Sequence, residues 1–203
     1  MPVIRILSRA AIVSALASDM ASPPAAVARQ NMPPVTFGIG YVANAPQLLA
    51  GAGAYATFPL LGGLGFYLDA KFDVNGPSRE DNFESALTAL EVEDQIPGVA
   101  LVGSEDSWRS FNIAVVRPLT PAFMVYLGAG YATRTRYHEY RDPKGERGLL
   151  GLLWAEAPHE ESSTVNGLFG GFLRLGRPLD FQFGFETAPR GFTVGGSLRL
   201  PPR

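Results

Sequence analysis

Cysteine is absent from the 203 residues, which excludes a disulfide framework and any thiolate metal site and leaves the redox compartment open. Histidine occurs only twice, at His138 and His159, too few for a multi-histidine metal centre. A basic surplus is also missing. The 17 basic and 19 acidic side chains give a formal net charge of -2, with no basic stripe, so nucleic acid is not an expected partner. Hydrophobic residues make up 46% of the chain, yet no run approaches the roughly 18 apolar residues of a membrane helix. What is plentiful is glycine, 23 residues, and proline, 17, a balance that opposes helices and suits short strands joined by tight turns. The length fits one domain and does not call for two.

The N-terminus has the order of an export signal. Arg5 and Arg9 give a positive opening, Ala10 to Ala17 a short apolar stretch, and small residues two cleavage patterns, Ala15-Leu16-Ala17 and Ala26-Val27-Ala28. The second is favoured because Pro23 and Pro24 break a helix upstream of it. Residues 1–28 are therefore expected to be a cleaved signal peptide, and residues 29–203 the folded domain.

Alternation is the strongest signal in the rest of the chain. In Leu64 to Val74 the positions Leu64, Phe66, Leu68, Ala70, Phe72 and Val74 are apolar, while Asp69, Lys71 and Asp73 fall between them. Successive strand side chains point to opposite faces, so one face is greasy and the other charged. The same period of two runs through Phe123 to Tyr137, Val165 to Leu175, Leu179 to Thr187 and Phe192 to Leu200. In Val165 to Leu175, Leu168 and Phe172 interrupt the polar face. With Phe111 to Val115 and two Gly- and Ala-rich segments, Val35 to Ala43 and Ala50 to Phe58, the count is about eight strands.

The connections alternate in length. Short turns at Pro59 to Gly63, Arg117 to Pro121 and Gly176 to Leu179 oppose two long loops, Asn75 to Ser107 and His138 to Thr164. Short turns at one end and long loops at the other is the layout of an outer-membrane barrel, with the short turns periplasmic.

Alternation also fits a soluble barrel, so the polar face has to decide. It is rich in glycine (Gly38, Gly40, Gly51, Gly53, Gly65, Gly128, Gly130, Gly184, Gly195), as a narrow lumen requires. Its charges are also nearly balanced. Asp69, Asp73, Asp180 and Glu186 have Lys71, Arg134, Arg136, Arg174 and Arg199 as prospective partners in a lumen charge network. Aromatic residues near strand ends, among them Phe37, Tyr41, Phe72, Trp108, Phe111, Phe123 and Phe192, are expected to form interfacial girdles. The fold class is therefore all-β: an antiparallel up-and-down transmembrane barrel that contacts lipid and lipopolysaccharide, most simply as a monomer.

By strand pattern and loop layout, Val35 to Leu200 resembles the small OmpA/OmpX-type outer-membrane barrels. The resemblance implies insertion by the outer-membrane assembly machinery, which reads a final strand ending in an aromatic residue. Here the last strand ends in Leu200, followed by Pro201 and Pro202.

Motifs for chemistry are weak. Gly51-Ala-Gly53-Ala-Tyr-Ala56 matches G-x-G-x-x-A with Asp73 downstream, but the chain runs on through Phe58 into Pro59 where a helix would have to open. No cofactor is expected. Ser107, Ser110, His138, His159, Ser162 and Ser163 supply the residue types of a lipid hydrolase without strand-borne spacing. The acidic loop residues Glu139, Asp142, Glu146, Glu156, Glu160 and Glu161 lack the ordered spacing of a cation site. A helix is predicted over Asn82 to Glu93, capped by Ser78 or Asp81, with Phe83, Leu87 and Leu90 on one face. The apolar run Leu149 to Trp154 is expected to pack within the loops. The functional expectation is a non-enzymatic barrel of structural, surface-contact or adhesion-like role with a filled or very narrow lumen. The alternatives are an outer-membrane lipid-modifying enzyme and a soluble lipocalin-like carrier.

Overall fold

The computed structural model describes residues 35–77, 83–148 and 150–200. The expected signal segment, the proposed caps Ser78 and Asp81, and Pro201 and Pro202 lie outside the described residues.

Ten strands and one helix follow in order: β1 (Thr36–Ala45), β2 (Leu49–Thr57), β3 (Gly65–Asp73), β4 (Phe83–Thr88), α1 (Ala89–Gln95), β5 (Ala100–Thr120), β6 (Phe123–Arg141), β7 (Leu152–Glu156), β8 (Ser162–Arg174), β9 (Leu179–Thr187) and β10 (Arg190–Leu200). Among the described residues, eight of these strands close an antiparallel barrel in the order β1-β2-β3-β5-β6-β8-β9-β10, with β10 pairing back onto β1. Closure leaves the barrel wall without the unpaired edges of an open sheet. Strands β4 and β7 stand outside the ring, at the end opposite Thr36 and Leu200, the first and last strand residues.

The eight predicted strand positions coincide with these eight, but β5 is much longer than the alternation indicated and β6 runs four residues past Tyr137. β5 is 21 residues and β6 is 19, and their ladder continues to Ala100 and Arg141, beyond β5's pairing with β3. The upper part of β6 pairs with β7 and its lower part with β8, so one strand serves both the barrel and a sheet above it. Within the described residues, much of the two expected long loops is therefore strand or helix.

The helix also differs from expectation. In the described part of the predicted Asn82 to Glu93 segment, Phe83–Thr88 is strand β4, and α1 starts only at Ala89. Thr88 caps it, in a box where its side chain accepts from the Glu91 backbone and Glu91 reaches back to the Thr88 N–H at 2.7 Å. A Thr-x-x-Glu box satisfies two otherwise orphaned donors. It therefore sets the helix start more firmly than the apolar spacing of Phe83, Leu87 and Leu90.

The two faces of the barrel wall are sharply divided. Ile39, Tyr41, Phe66, Leu68, Phe72, Phe111, Ile113, Leu127, Tyr131, Phe169 and Leu198 all lie outward, each about half exposed. Asp69, Lys71, Ser110, Asn112, Asn166, Asp180, Gln182 and Glu186 are buried inside. The charged and amide side chains of the wall thus lie inside the barrel, and its exterior is apolar.

Candidate functional site

Residues of alternate parity on β3, β5, β8, β9 and β10 converge inside the loop-end half of the lumen. Lys71 is fully buried; its Nζ lies 2.7 Å from Glu186 and also bonds Asp69. Asn112 donates to Asp69 at 2.7 Å, and Asn166 donates to Asn112 and to Glu186. Thr193 donates to Glu186 at 2.9 Å. One ammonium thus serves two carboxylates, and three neutral side chains add further hydrogen bonds, while Asp69 Oδ2 is buried without one. A buried charge is tolerable only when paired and bonded in this way. Asn166 also accepts from the backbone of Thr187 and Ala188, which ties the β9–β10 turn into the lumen.

Toward the terminal end the filling changes to aromatic rings. Tyr55, Tyr67, Tyr126 and Phe172 pack together with Val116, Met124 and Leu168. Ring centroids lie 4.9 Å apart for Tyr55 and Phe172 and 5.1 Å for Tyr67 and Tyr126. The hydroxyls are not wasted: Tyr55 bonds Asp180, and Gln182 donates to Tyr67 at 2.7 Å. The lumen glycines make room for these rings. A Cβ at Gly38 would overlap the Tyr55 ring, and one at Gly184 the Tyr126 hydroxyl. Leu168 and Phe172, which break the polar alternation of β8, do so because they belong to this plug. Below them Arg199 lies 3.5 Å from Asp180, and Arg174 donates to the Pro121 carbonyl.

The nine residues assigned to a lumen network therefore divide. Asp69, Lys71 and Glu186 form one cluster, and Asp180 and Arg199 pair at the terminal end with Arg174 close by. Asp73, at the end of β3, accepts from the Asn75 N–H. Arg134 and Arg136 lie above the barrel, both on Asp106; Arg136 contributes two bonds, at 2.8 and 3.1 Å. The Arg136 guanidinium holds the Asp106 carboxyl below the usual carboxylate range. Asp106 shares the inward parity of Ser110 in β5. Trp108 shares this parity and so stands off the outward girdle. Asn112, Asn166 and Gln182 were legible as polar positions, though nothing in the sequence marked them as hydrogen-bond hubs.

Above the barrel a second core forms. Ala89 and Val92 of α1, and Ile96 just beyond it, bury against Tyr140, Leu153, Ala155 and Ala157, with Leu87 and Val99 at the margin. Part of the apolar run Leu149 to Trp154 enters this core through Leu153, while Leu150, in a left-handed conformation, is 93% exposed. The loop that carries Leu150 is held by Asp142, which accepts from the N–H groups of Lys144, Glu146 and Arg147. Those donors hold the Asp142 carboxyl well below its ordinary range. Between the two cores the outward face turns polar, at the Arg109–Glu161 ion pair and the Thr133–Ser163 hydroxyl contact.

The hydrolase residue types do not assemble. Among the described contacts His138 meets Tyr140 and Glu160, and His159 meets Glu160; neither meets a serine. No group of three His, Asp or Glu side chains among the described residues is placed to hold a metal ion.

No family model and no curated protein matches the sequence. Among solved structures, the chain is similar to Ail, the attachment invasion locus protein of Yersinia pestis. The match has a TM-score of 0.49 at 10% identity and covers 83% of this chain and 100% of Ail. A structure of Ail in complex with the heparin analogue sucrose octasulfate gives a TM-score of 0.46 at 8% identity, over 82% of this chain and 97% of Ail. At that identity no site residue carries over from Ail to this chain.

Proposed function

We propose that the chain is an integral outer-membrane barrel of a Gram-negative envelope. It acts through its loop end as a surface-contact or adhesion-like protein, not as a pore or an enzyme. The observation that supports this is the inverted burial. A continuous apolar band covers the outside of a closed barrel while an ammonium and several carboxylates lie inside. In water such a surface would far exceed the apolar patch a soluble monomer exposes. In hydrocarbon it is the stable arrangement, because closure satisfies every ladder group. A groove of about 570 Å³ over Ala52, Ala54 and Ala70, walled by Ile39, Leu68, Phe111 and Tyr131, offers room for acyl chains along this band.

The packed lumen argues against a diffusion pore, and equally against the soluble carrier, whose ligand would need an apolar interior cavity. Residues 1–28 supply export, the assembly machinery inserts the barrel, and the single chain closes its own wall as a monomer. The part presented outward is then the platform of α1, β4, β7 and the upper halves of β5 and β6.

Cell fractionation followed by electrophoresis with and without boiling tests the reading. Recovery in the outer membrane with a boiling-dependent mobility shift is the expected result. Release into the soluble periplasm without a shift overturns it.

A further inference from the structure

We infer that His138, Tyr140, Glu93 and Glu160 form a proton-operated latch that holds α1 and the 158–160 turn against β6 and slackens as pH rises. The inference stands on the geometry of the platform and holds whichever surface the platform contacts. Four side chains from three elements meet in one line. Tyr140 Oη donates to Glu93 Oε1 of α1 at 2.6 Å, and the same hydroxyl lies 3.2 Å from His138 Nδ1. His138 Nε2 lies 3.3 Å from Glu160 Oε1, on the turn that leads into β8.

Counting protons along this line fixes the state of the imidazole. A phenol has one proton, and burial, then the bond to Glu93, push the Tyr140 hydroxyl well above its ordinary range. That proton stays on Tyr140 and is committed to Glu93, so the oxygen can only accept from Nδ1. Glu160, a carboxylate, can only accept from Nε2. Both ring nitrogens thus face acceptors, and only the doubly protonated imidazolium carries a hydrogen on each. Loss of one proton leaves either the Tyr140 or the Glu160 contact without a hydrogen, and the line opens at that point.

Other charges bear on the ring. On β6 itself Arg136 lies 3.5 Å from Glu160 and competes for that carboxylate, and His159 is 3.9 Å from it. Across the ladder β5 places Ser104 opposite His138, then Glu105 opposite Tyr137 and Asp106 opposite Arg136, with which it pairs. From β7, Ala155 lies opposite His138 and Glu156 opposite Tyr137. Glu91 and Asp94 flank Glu93 on α1. Apart from Arg136 and His159, the charged groups set around the ring are acidic. The sign follows: contacts that need the doubly protonated imidazole are present at low pH and are lost as pH rises and the ring gives up a proton. The outcome is a platform fastened in acidic surroundings and looser at neutral pH.

The test is hydrogen exchange of the full chain, folded in detergent micelles, at about pH 5.5 and about pH 8 and corrected for intrinsic exchange. The protection of Ala89–Gln95 and of residues 158–161 is expected to fall about tenfold between the two, as for loss of one charge-assisted hydrogen bond. His138→Gln should abolish the step in both segments. Tyr140→Phe should remove it from α1 and keep it at 158–161, and His159→Gln should leave it intact. Nitrogen chemical shifts of His138 should report both ring nitrogens protonated at the lower pH. A flat wild-type profile, a full step in His138→Gln, or a singly protonated ring at low pH overturns the latch. An unchanged mobility shift at both pH values confirms that the barrel itself stays folded.

Discussion

β6 runs through two regions that bury opposite kinds of side chain on the same face. Below Arg109 and Glu161 its outward side chains are Phe123, Val125, Leu127 and Tyr131, and its inward ones face a lumen of tyrosines, amides and an ion triad. Above that line the inward face carries Tyr140 beneath α1, and with Leu153 and Ala155 of the neighbouring strand it makes an ordinary apolar core. The lower region is an inside-out protein and the upper a small conventional one. The difference teaches that the period of two is a property of the strand, whereas the face that turns apolar is set by what lies outside it. Hydrocarbon rewards an apolar exterior, and water rewards an apolar interior.

Substitutions should therefore act in one region and spare the other. The largest effect is expected at Lys71, since Lys71→Ala leaves Asp69 and Glu186 buried without a cation. Breaking a buried ion cluster this way costs about 3–5 kcal/mol. The barrel's boiling-dependent shift should then move to a clearly lower temperature, while α1 keeps its protection from exchange. Leu153→Ala tests the reverse: removing a fully buried leucine costs about 2–5 kcal/mol. Here α1 and β7 should lose protection while the mobility shift is unchanged. The line between the regions can be located with one charge at two heights on β5. Ile113→Arg, on the apolar band, should cost about 2–4 kcal/mol in lipid. Val102→Arg, above it, should stay within about 0.5 kcal/mol. Both are read by urea unfolding in vesicles.

Smaller effects stay inside the platform. Thr88→Ala removes the α1 cap at a cost of about 1 kcal/mol and should fray that helix alone by hydrogen exchange. Acid should then act on the Asp142 loop. Because backbone donors depress that carboxyl below its unfolded value, its contribution is present above the ordinary carboxylate range and is lost as pH falls through the lower folded value. Exchange in residues 142–148 should rise only below about pH 4, and Asp142→Asn should flatten that response.

The local pattern alone determined the period-two strands, the inward parity of Asp69, Lys71, Asp180 and Glu186, and the end at which the long loops lie. Each of these depends on neighbours two residues away or on turn residues, information the chain carries locally. The length of β5 was not legible beyond Phe111, because Ala100 to Trp108 is strand only by pairing with β6. Nor did the balance of charges say which partners meet. Arg134 and Arg136 share the inward parity of the lumen set, but register lifts them to Asp106. That Leu168 and Phe172 are a plug and not an interruption follows from the Tyr55 and Tyr126 rings brought across the barrel. The union of Glu93, His138, Tyr140 and Glu160 needed a helix, a strand and a turn to fold onto one another. Parity is fixed by the bond geometry of one strand, but contact is fixed by closure and register, which only the whole chain supplies.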